Sequence, residues 1–366
     1  MMRKNDRMRK SEKTSPNAPP LEIRGHHLLC AVCKKGGMKT PPEGADEIDR
    51  LLKAIWEYPF TSIKVTADVD VIRAHYRDAY EGRGSDSLPE DFEERRKQYV
   101  LRKKDLEVCR ALGIIPNTVM PAYTIYTTLF ERQPTLDGIC RSDVEESKAW
   151  PKCPYAEKGY YEKIASEPRV GFREQMKRGE ELDGKGIFAM IRTRTKDDLW
   201  GAKEKSAEYI LKKAEVLYIR PHHLLCIICR PCKDKILIED NLIELLFKMR
   251  DNPDIPVTLT EGCCMVCDSC NVYHPEENVC YHSFFKDSLR DLLVLERLGL
   301  EPGATLSAGR LYQLIYDRIG SMKEICDGRR DNSTLDHIWG ACNYDTPHLE
   351  NARNNGMITG NNPRFK

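Results

Sequence analysis

Cysteines at short, regular spacing are the residues of this sequence with the clearest capacity for chemistry. The densest segment, GCCMVCDSCNVYHPEENVC, spans 262–280 and contains a C-x-x-C-x-x-C run, Cys264, Cys267 and Cys270, followed by Cys280. Two residues between successive cysteines let their sulfur atoms turn toward one centre while the backbone wraps around it. Runs of this kind hold 4Fe-4S clusters, commonly with a remote fourth thiolate. The segment therefore favours iron–sulfur binding.

Zinc is the alternative metal for this segment. Zinc also uses C-x-x-C pairs, but two pairs are enough for one tetrahedral ion. Thiolate-rich ligation by itself is compatible with zinc or with an iron–sulfur cluster. Unliganded thiols are a third interpretation, because free cysteine packs as a small hydrophobe. The triple run exceeds one zinc knuckle and so favours the cluster.

A second C-x-x-C-x-x-C run is formed by Cys226, Cys229 and Cys232. On a continuous helix the first two share a face, and the third joins them only if the helix ends at the intervening proline. His222 and His223 precede the run in the element HHLLC, which makes all five residues candidates for a second metal site. The competing interpretation is a pair of buried helical cysteines and a buried imidazole that is hydrogen-bonded in the core.

The element that contains these histidines occurs twice in the chain. IRGHHLLCAVC begins at residue 23 and IRPHHLLCIIC begins at residue 219. Further matches follow in the same order in both halves, pairing Asp105 with Asp291, Gly113 with Gly299, Tyr126 with Tyr312 and Cys140 with Cys326. We therefore predict a tandem duplication of one unit.

The duplication sets the predicted domain boundaries. They are a disordered basic tail over 1–20, a first copy over 21–165, a polar connector over 166–215, a second copy over 216–350 and a disordered tail over 351–366. Each copy begins with a short strand that runs into the HHLLC helix, and a second helix, a strand and two further helices follow. The predicted class is α+β, helix-predominant, with short strands packed by helices.

The first copy is poor in cysteine. It contains no thiol in the region that aligns with the dense segment of the second copy, so we expect it to be the structural or degenerate half. Cys30, Cys33, Cys140 and Cys153 are numerous enough to bind one metal centre, but nothing in the sequence brings them together. Cys109 lies in an apolar helical pattern and is interpreted as a packing residue.

Composition limits the classes of function. Lys and Arg number 58 against 57 Asp and Glu, for a net charge of +1, so no global basic field exists to bind nucleic acid or an anionic membrane. No uncharged apolar stretch approaches the roughly 18 residues of a transmembrane helix, and the first twenty residues lack the apolar core of a secretory signal. We expect a cytoplasmic protein whose 15 cysteines are metal ligands or redox groups instead of disulfides.

The RxHHLLC opening, the C-x-x-C with a later cysteine, the LGL turn and Cys326 together resemble the bacterial and archaeal "domain of unknown function 1284" family. The resemblance covers most of the second copy and, more loosely, the first. It implies iron–sulfur binding through cysteines, without an established activity. The matching positions are His222, His223, Cys226, Cys267, Cys270, Cys280, Cys326 and Cys342.

Two departures from the family pattern affect the ligand set. Asn271 stands where the family usually has a proline after the C-x-x-C. The late IC-x-x-C-x-W pattern is replaced by ICDGR, with an insertion before the next cysteine. The resemblance therefore leaves open whether Cys326 or Cys342 is the fourth ligand.

Three functional hypotheses follow. The first is a cytoplasmic iron–sulfur protein, with one or two clusters of the 4Fe-4S type, that exchanges electrons with a redox protein partner. The second is a zinc-stabilised binding or regulatory module whose metal contributes folding free energy. The third is a metal- or cluster-dependent enzyme that uses His222 or His223 for acid–base chemistry.

Overall fold

A computed structural model describes nine stretches of the chain, and every structural statement below concerns them. These stretches are 19–67, 92–141, 150–165, 184–229, 240–270, 272–275, 278–280, 284–326 and 346–358. The chain divides into two compact units. Of the described residues, unit 1 contains those from 19 to 165 and from 184 to 192, and unit 2 contains those from 193 to 358. Cys232 and Cys342 lie outside the described residues.

Unit 1 is built mainly from helices around three short strands. In chain order its described elements are β1 (Leu21–Arg24), α1 (Gly25–Lys35), α2 (Ala45–Glu57), β2 (Ser62–Thr66), α3 (Phe92–Leu112), β3 (Val119–Pro121), α4 (Ala122–Arg132), α5 (Tyr160–Ala165) and α6 (Ile187–Met190). A single 3₁₀ turn, Ala156–Lys158, precedes α5.

Unit 2 has the same kind of architecture and a small additional hairpin. Its described elements are α7 (Lys196–Glu208), which continues into a π-helical segment (Tyr209–Lys213), β4 (Leu217–Ile219), α8 (Pro221–Cys229), α9 (Leu242–Asp251), β5 (Pro256–Leu259), β6 (Tyr273–His274), β7 (Val279–Cys280), α10 (Phe284–Leu298), β8 (Thr305–Ser307), α11 (Ala308–Arg318), α12 (Lys323–Cys326) and α13 (Thr346–Asn354). The predicted helix-predominant α+β class is confirmed.

Both units contain a three-stranded mixed sheet with the same strand order. In unit 1, β2 lies between β1, its parallel neighbour, and β3, its antiparallel neighbour. In unit 2, β5 lies between β4 and β8 with the same orientations. Alternate residues of each central strand are buried, as Ile63 and Val65 are in β2. Because the first two strands are parallel, the segments that follow them leave the sheet at the same edge.

A buried Asp–His–Arg network holds the start of α8 in unit 2. Asp291 Oδ1 accepts hydrogen bonds from the backbone N–H of His222 at 3.0 Å and from its ring Nδ1 at 2.8 Å. Its Oδ2 accepts from Arg220 Nε and Nη2 at 2.8 and 2.6 Å. The carboxylate thereby satisfies one of the free N–H groups at a helix N-terminus, where negative charge is also favoured by the helix dipole.

Unit 1 contains the same network on equivalent residues. Asp105 accepts from the backbone N–H of His26 at 2.9 Å and from its ring Nδ1 at 2.6 Å. Arg24 donates to the other carboxylate oxygen at 3.0 and 2.7 Å. This recurrence gives the first histidine of each HHLLC element a structural partner and is what duplication of one unit predicts.

A buried tyrosine makes the same contact in both units. The Tyr126 hydroxyl donates to the Leu28 carbonyl at 3.4 Å, and the Tyr312 hydroxyl donates to the Leu224 carbonyl at 3.0 Å. These bonds tie α4 to α1 in unit 1 and α11 to α8 in unit 2. The tyrosine–helix contact therefore helps to hold the helix that carries the cysteines.

Two predicted boundary segments contain ordered structure. The predicted connector contributes α6 to unit 1 and α7 to unit 2, and α7 begins with a Thr195–Asp198 capping box. Residues 351–354, assigned above to a disordered tail, are the end of α13, and Ala352 and Ile358 are buried in the unit 2 core. For this part of the tail the expectation is wrong, because its few apolar side chains pack inward.

Gly36 marks a close approach of two backbones in unit 1. A Cβ at this position would lie 1.9 Å from the carbonyl oxygen of Tyr160, at the start of α5. We expect Gly36→Ala to lower the free energy of unfolding by about 1–3 kcal/mol, since α1 and α5 must separate. Thermal or urea unfolding measures this. Gly201→Ala, in α7 with no atom near its Cβ, is the control and should be neutral or stabilising; equal behaviour of the two variants would contradict the prediction.

Candidate metal centre

The predicted cysteine run folds as a loop of consecutive tight turns after β5. The N–H of Cys267 donates to the carbonyl of Cys264 at 2.8 Å, and the N–H of Cys270 donates to that of Cys267 at 2.8 Å. The N–H of Tyr273 then donates to the carbonyl of Cys270 at 3.2 Å. The ligand atoms of Cys264 and Cys267 lie within 4.8 Å of each other, and the Cys270 thiol interacts electrostatically with that of Cys267. The loop thus brings the three thiols of the run near one another.

The β6–β7 hairpin returns Cys280 to this loop. Tyr273 lies in β6, three residues after Cys270 in the chain, and pairs with Cys280 in β7. The Cys280 thiol interacts electrostatically with those of Cys270 and Cys263. We define the unit 2 thiol cluster as Cys263, Cys264, Cys267, Cys270 and Cys280.

An imidazole from α8 joins the cluster. His223 Nδ1 lies 3.2 Å from Cys264 Sγ, and the ligand atoms of His223, Cys264 and Cys267 all lie within 4.8 Å of one another. The contact arises because β4 and β5 are parallel, so the start of α8 and the cysteine loop emerge at the same sheet edge. Thiolate and imidazole are ligands for zinc and for iron–sulfur centres. This group can hold a metal.

Hydrogen bonding within the thiol cluster favours ionisation of Cys267. Hydrogen bonds donated by the Cys263 and Cys264 thiols hold the pKa of Cys267 well below its usual range, against the opposing effect of burial. The same hydrogen bond and burial raise the pKa of Cys263, and burial raises that of Cys264. Burial lowers the pKa of His223 to about 4, so its ring is neutral near pH 7. A thiolate and a neutral imidazole are the forms that bind metals.

Backbone N–H groups and one arginine add positive electrostatic potential around the Cys264 and Cys267 sulfurs. The N–H groups of Arg220 and Val266 donate to the Cys264 sulfur, and the N–H of Cys264 donates to Cys267 Sγ at 3.5 Å. The buried guanidinium of Arg220, paired with Asp291, also interacts with the Cys267 thiolate. These contacts favour thiolates over thiols in a buried site.

Two polar side chains outside the loop fix its backbone. Arg194 Nη1 donates to the carbonyl of Asp268 at 2.6 Å and to that of Cys270 at 3.2 Å. Asn241 Nδ2 donates to the carbonyl of Met265 at 2.8 Å. Arg194 lies in the predicted polar connector, and no sequence pattern marked it as part of the site.

The residues predicted for a second site in unit 2 lie in different surroundings and contact different partners. His223 contacts Cys264 in the first site, whereas His222 is bound to Asp291. Cys226 and Cys229 lie on α8, half-buried and packed against the hydrophobic core.

Two further cysteines of unit 2 are Cys326, which was a predicted ligand, and Cys263, which was not. Cys326 is buried at the end of α12, where its carbonyl accepts a hydrogen bond from Arg290 at 2.9 Å. Cys263 belongs to the thiol cluster but was not among the predicted ligands. Its position directly before Cys264 was the only sequence signal.

Unit 1 pairs its second histidine with carboxylates. His27 Nδ1 lies 3.0 Å from Glu47 Oε1, and the ligand atoms of His26, His27 and Glu43 lie within 4.8 Å of one another. Three of the predicted unit 1 cysteines, Cys30, Cys140 and Cys153, line a pocket of about 450 Å³. Cys33 is buried one turn further along α1 than Cys30.

No family model, curated protein or solved structure matches this chain. None of the helices in the described part of the chain combines the length and apolar character that crossing a membrane requires. Fold and site together define a helix-rich α+β protein with a cysteine–histidine group that can hold a metal.

Proposed function

We propose that unit 2 binds an iron–sulfur cluster of the 4Fe-4S type and that the protein transfers electrons in a reducing cytoplasm. The observation that carries the proposal is that the five thiols of the cluster, from the loop and from the hairpin, lie close enough to interact with one another, beside the half-buried imidazole of His223. One tetrahedral zinc ion uses four ligands, so this donor set exceeds the needs of a single ion. Cys264, Cys267, Cys270 and Cys280 would hold the cluster, which supplies one-electron redox chemistry when bound.

The surroundings of the thiol cluster support an electron-transfer role. Hydrogen bonds to cluster sulfurs and solvent exposure are the main means by which a protein sets a cluster's reduction potential. Cys264 and Cys267 are buried and accept N–H hydrogen bonds, whereas Cys270 and Cys280 are partly exposed. A cluster on these ligands would have one edge near the surface, where a redox protein partner can exchange electrons. The resemblance to the "domain of unknown function 1284" family points to the same chemistry.

Metal analysis of the anaerobically purified full chain tests the proposal. We expect iron and acid-labile sulfide in roughly equal amounts, about four of each per cluster. Visible absorbance should accompany them and bleach on reduction by dithionite. Colourless protein without iron or sulfide, before and after reconstitution with both, would exclude an iron–sulfur function.

A structural zinc ion is the second candidate, and one observation favours it. The ligand atoms of His223, Cys264 and Cys267 lie within 4.8 Å of one another. Tetrahedral zinc with ligands at about 2.0–2.3 Å holds them less than about 4 Å apart, so a small closure of this group is enough. A zinc-stabilised module would contain about one zinc and no sulfide, and a chelator would lower its unfolding temperature because zinc binding contributes folding free energy.

A further inference from the structure

Four cysteines of unit 1 come together from three separate segments. Cys30 and Cys33 lie on α1, Cys140 follows α4 and Cys153 precedes α5. The thiols of Cys140 and Cys153 are hydrogen-bonded to each other. Cys30 interacts electrostatically with the other three, and Cys33 also interacts with Cys153. Independent burial of four small hydrophobes does not require them to meet.

The pocket beside these cysteines has the size and the basic side chains to accommodate a thiolate-bound metal. Cys30, Cys140 and Cys153 line a pocket of about 450 Å³, which also contains Lys97 and Lys104. The Lys104 ammonium lies close enough to interact with all three thiols in the direction that favours their thiolate forms. Several thiolates around a divalent metal carry a net negative charge, which such a lysine offsets.

Cys153 has the surroundings of a thiolate ligand. Its sulfur accepts hydrogen bonds from the Cys140 thiol and from the backbone N–H groups of Tyr155 and Ala156. Two N–H groups that converge on one sulfur are a feature of the geometry and do not depend on the protonation state.

The internal repeat retains all four positions. Cys30, Cys33 and Cys140 correspond to Cys226, Cys229 and Cys326 in the second copy. Trp150-Pro-Lys-Cys153 corresponds to Trp339-Gly-Ala-Cys342, the last of which lies outside the described residues. The dense cysteine loop, by contrast, occurs in one copy alone. These four thiols are therefore a property of the repeated unit.

We propose that Cys30, Cys33, Cys140 and Cys153 bind a second, thiolate-ligated metal centre in unit 1. The proposal does not depend on the unit 2 thiol cluster. No three of these four sulfur atoms, all in described residues, lie within 4.8 Å of one another. A single tetrahedral zinc would hold sulfurs about 3.8 Å apart, given Zn–S bonds of about 2.3 Å. Either the side chains close around one ion, or a cluster fills the wider space with its own iron and sulfide.

The test uses the full chain in which Cys264→Ser/Cys267→Ser has disabled the unit 2 group. One arm titrates the apo chain anaerobically with Co²⁺, and the other reconstitutes it with iron and sulfide. We expect thiolate-to-cobalt charge-transfer absorption in the first arm or a bleachable chromophore in the second. Adding Cys140→Ser/Cys153→Ser should abolish that signal, and adding Cys109→Ser, a buried thiol of the same unit, should retain it. If the chain that also carries Cys140→Ser/Cys153→Ser keeps the cobalt or cluster signal, the proposal is overturned.

A second measurement needs no unit 1 variant. Metal loading should slow alkylation of Cys153, which is partly exposed, by more than about 10-fold, because a metal-bound thiolate is not free to react. Mass spectrometry after a timed alkylation reports each cysteine separately. Equal alkylation rates with and without metal, or a Cys140–Cys153 disulfide as the only product, would overturn the proposal while leaving the unit 2 centre untouched.

Discussion

Replacing Cys267 with serine is expected to remove the metal from unit 2. Cys267 is the sulfur toward which the Cys263 and Cys264 thiols donate hydrogen bonds, and its ligand atom groups with those of His223 and Cys264. Loss of a residue that only supports a metal ligand typically lowers metal affinity about 10–100-fold, so loss of the ligand itself should exceed that range. Iron, sulfide and zinc contents of the anaerobically purified chain measure the effect.

The matched control for this prediction is Cys109→Ser. Cys109 is also buried, but it lies on α3 in unit 1, outside both thiol groups. Its variant should retain the metal content of the parent chain. If Cys267→Ser keeps its full metal content while remaining folded, the ligand set proposed for unit 2 is wrong, whichever metal is present.

Removing the carboxylate of Asp291 should destabilise unit 2 by about 3–5 kcal/mol. The carboxylate is buried and accepts hydrogen bonds from Arg220 and from both the backbone and ring of His222. Asp291→Ala would leave the Arg220 guanidinium, 3% exposed, without its charge partner. Breaking a buried ion pair from one side is costly for that reason. Urea unfolding of the metal-free chain measures the loss, which separates it from any effect on metal binding.

The same variant should have a characteristic pH dependence. Burial opposes ionisation of Asp291, but hydrogen bonds and charges from His222 and Arg220 outweigh it and hold its pKa below the ordinary value. The folded carboxylate thus binds fewer protons than the unfolded one, so its contribution is complete above about pH 4 and declines as the pH falls further. The difference between Asp291→Ala and the parent chain should therefore shrink toward about pH 3.

An exposed aspartate of the same unit provides the comparison. Asp254 lies on the surface before β5, and Asp254→Ala should change stability by less than about 0.5 kcal/mol. An Asp291→Ala loss no larger than that of Asp254→Ala would mean that the Asp–His–Arg network does not hold α8.

The local part of the site was predictable because the short spacing between cysteines determines how close their side chains lie. Successive turns closed by backbone hydrogen bonds keep Cys264, Cys267 and Cys270 close together, as their spacing of three residues predicted. The class of fold was predictable for a similar reason, since the strand and helix signals of each copy are local. Both predictions needed only the periodicity of nearby residues.

The long-range part of the site was not predictable from spacing. His223 meets Cys264 across 41 residues, and it does so because β4 and β5 pair in parallel. Asp291 was recognised as a repeated residue, yet its role depends on α10 packing against α8 across 69 residues. Assigning LYI and VTL to neighbouring parallel strands would have been the one signal able to bring His223 to the loop.

The three-residue turns of the cysteine loop also limit how this protein can diverge. Inserting or deleting one residue between Cys264 and Cys270 would disrupt the i to i+3 hydrogen bonds that link successive cysteines of the loop. Substitutions between the cysteines leave the direction of each sulfur unchanged. Homologues of this chain should therefore vary in the residues between the cysteines and conserve the length of the loop. Distant homologues are better identified by the spacing between cysteines than by overall sequence similarity.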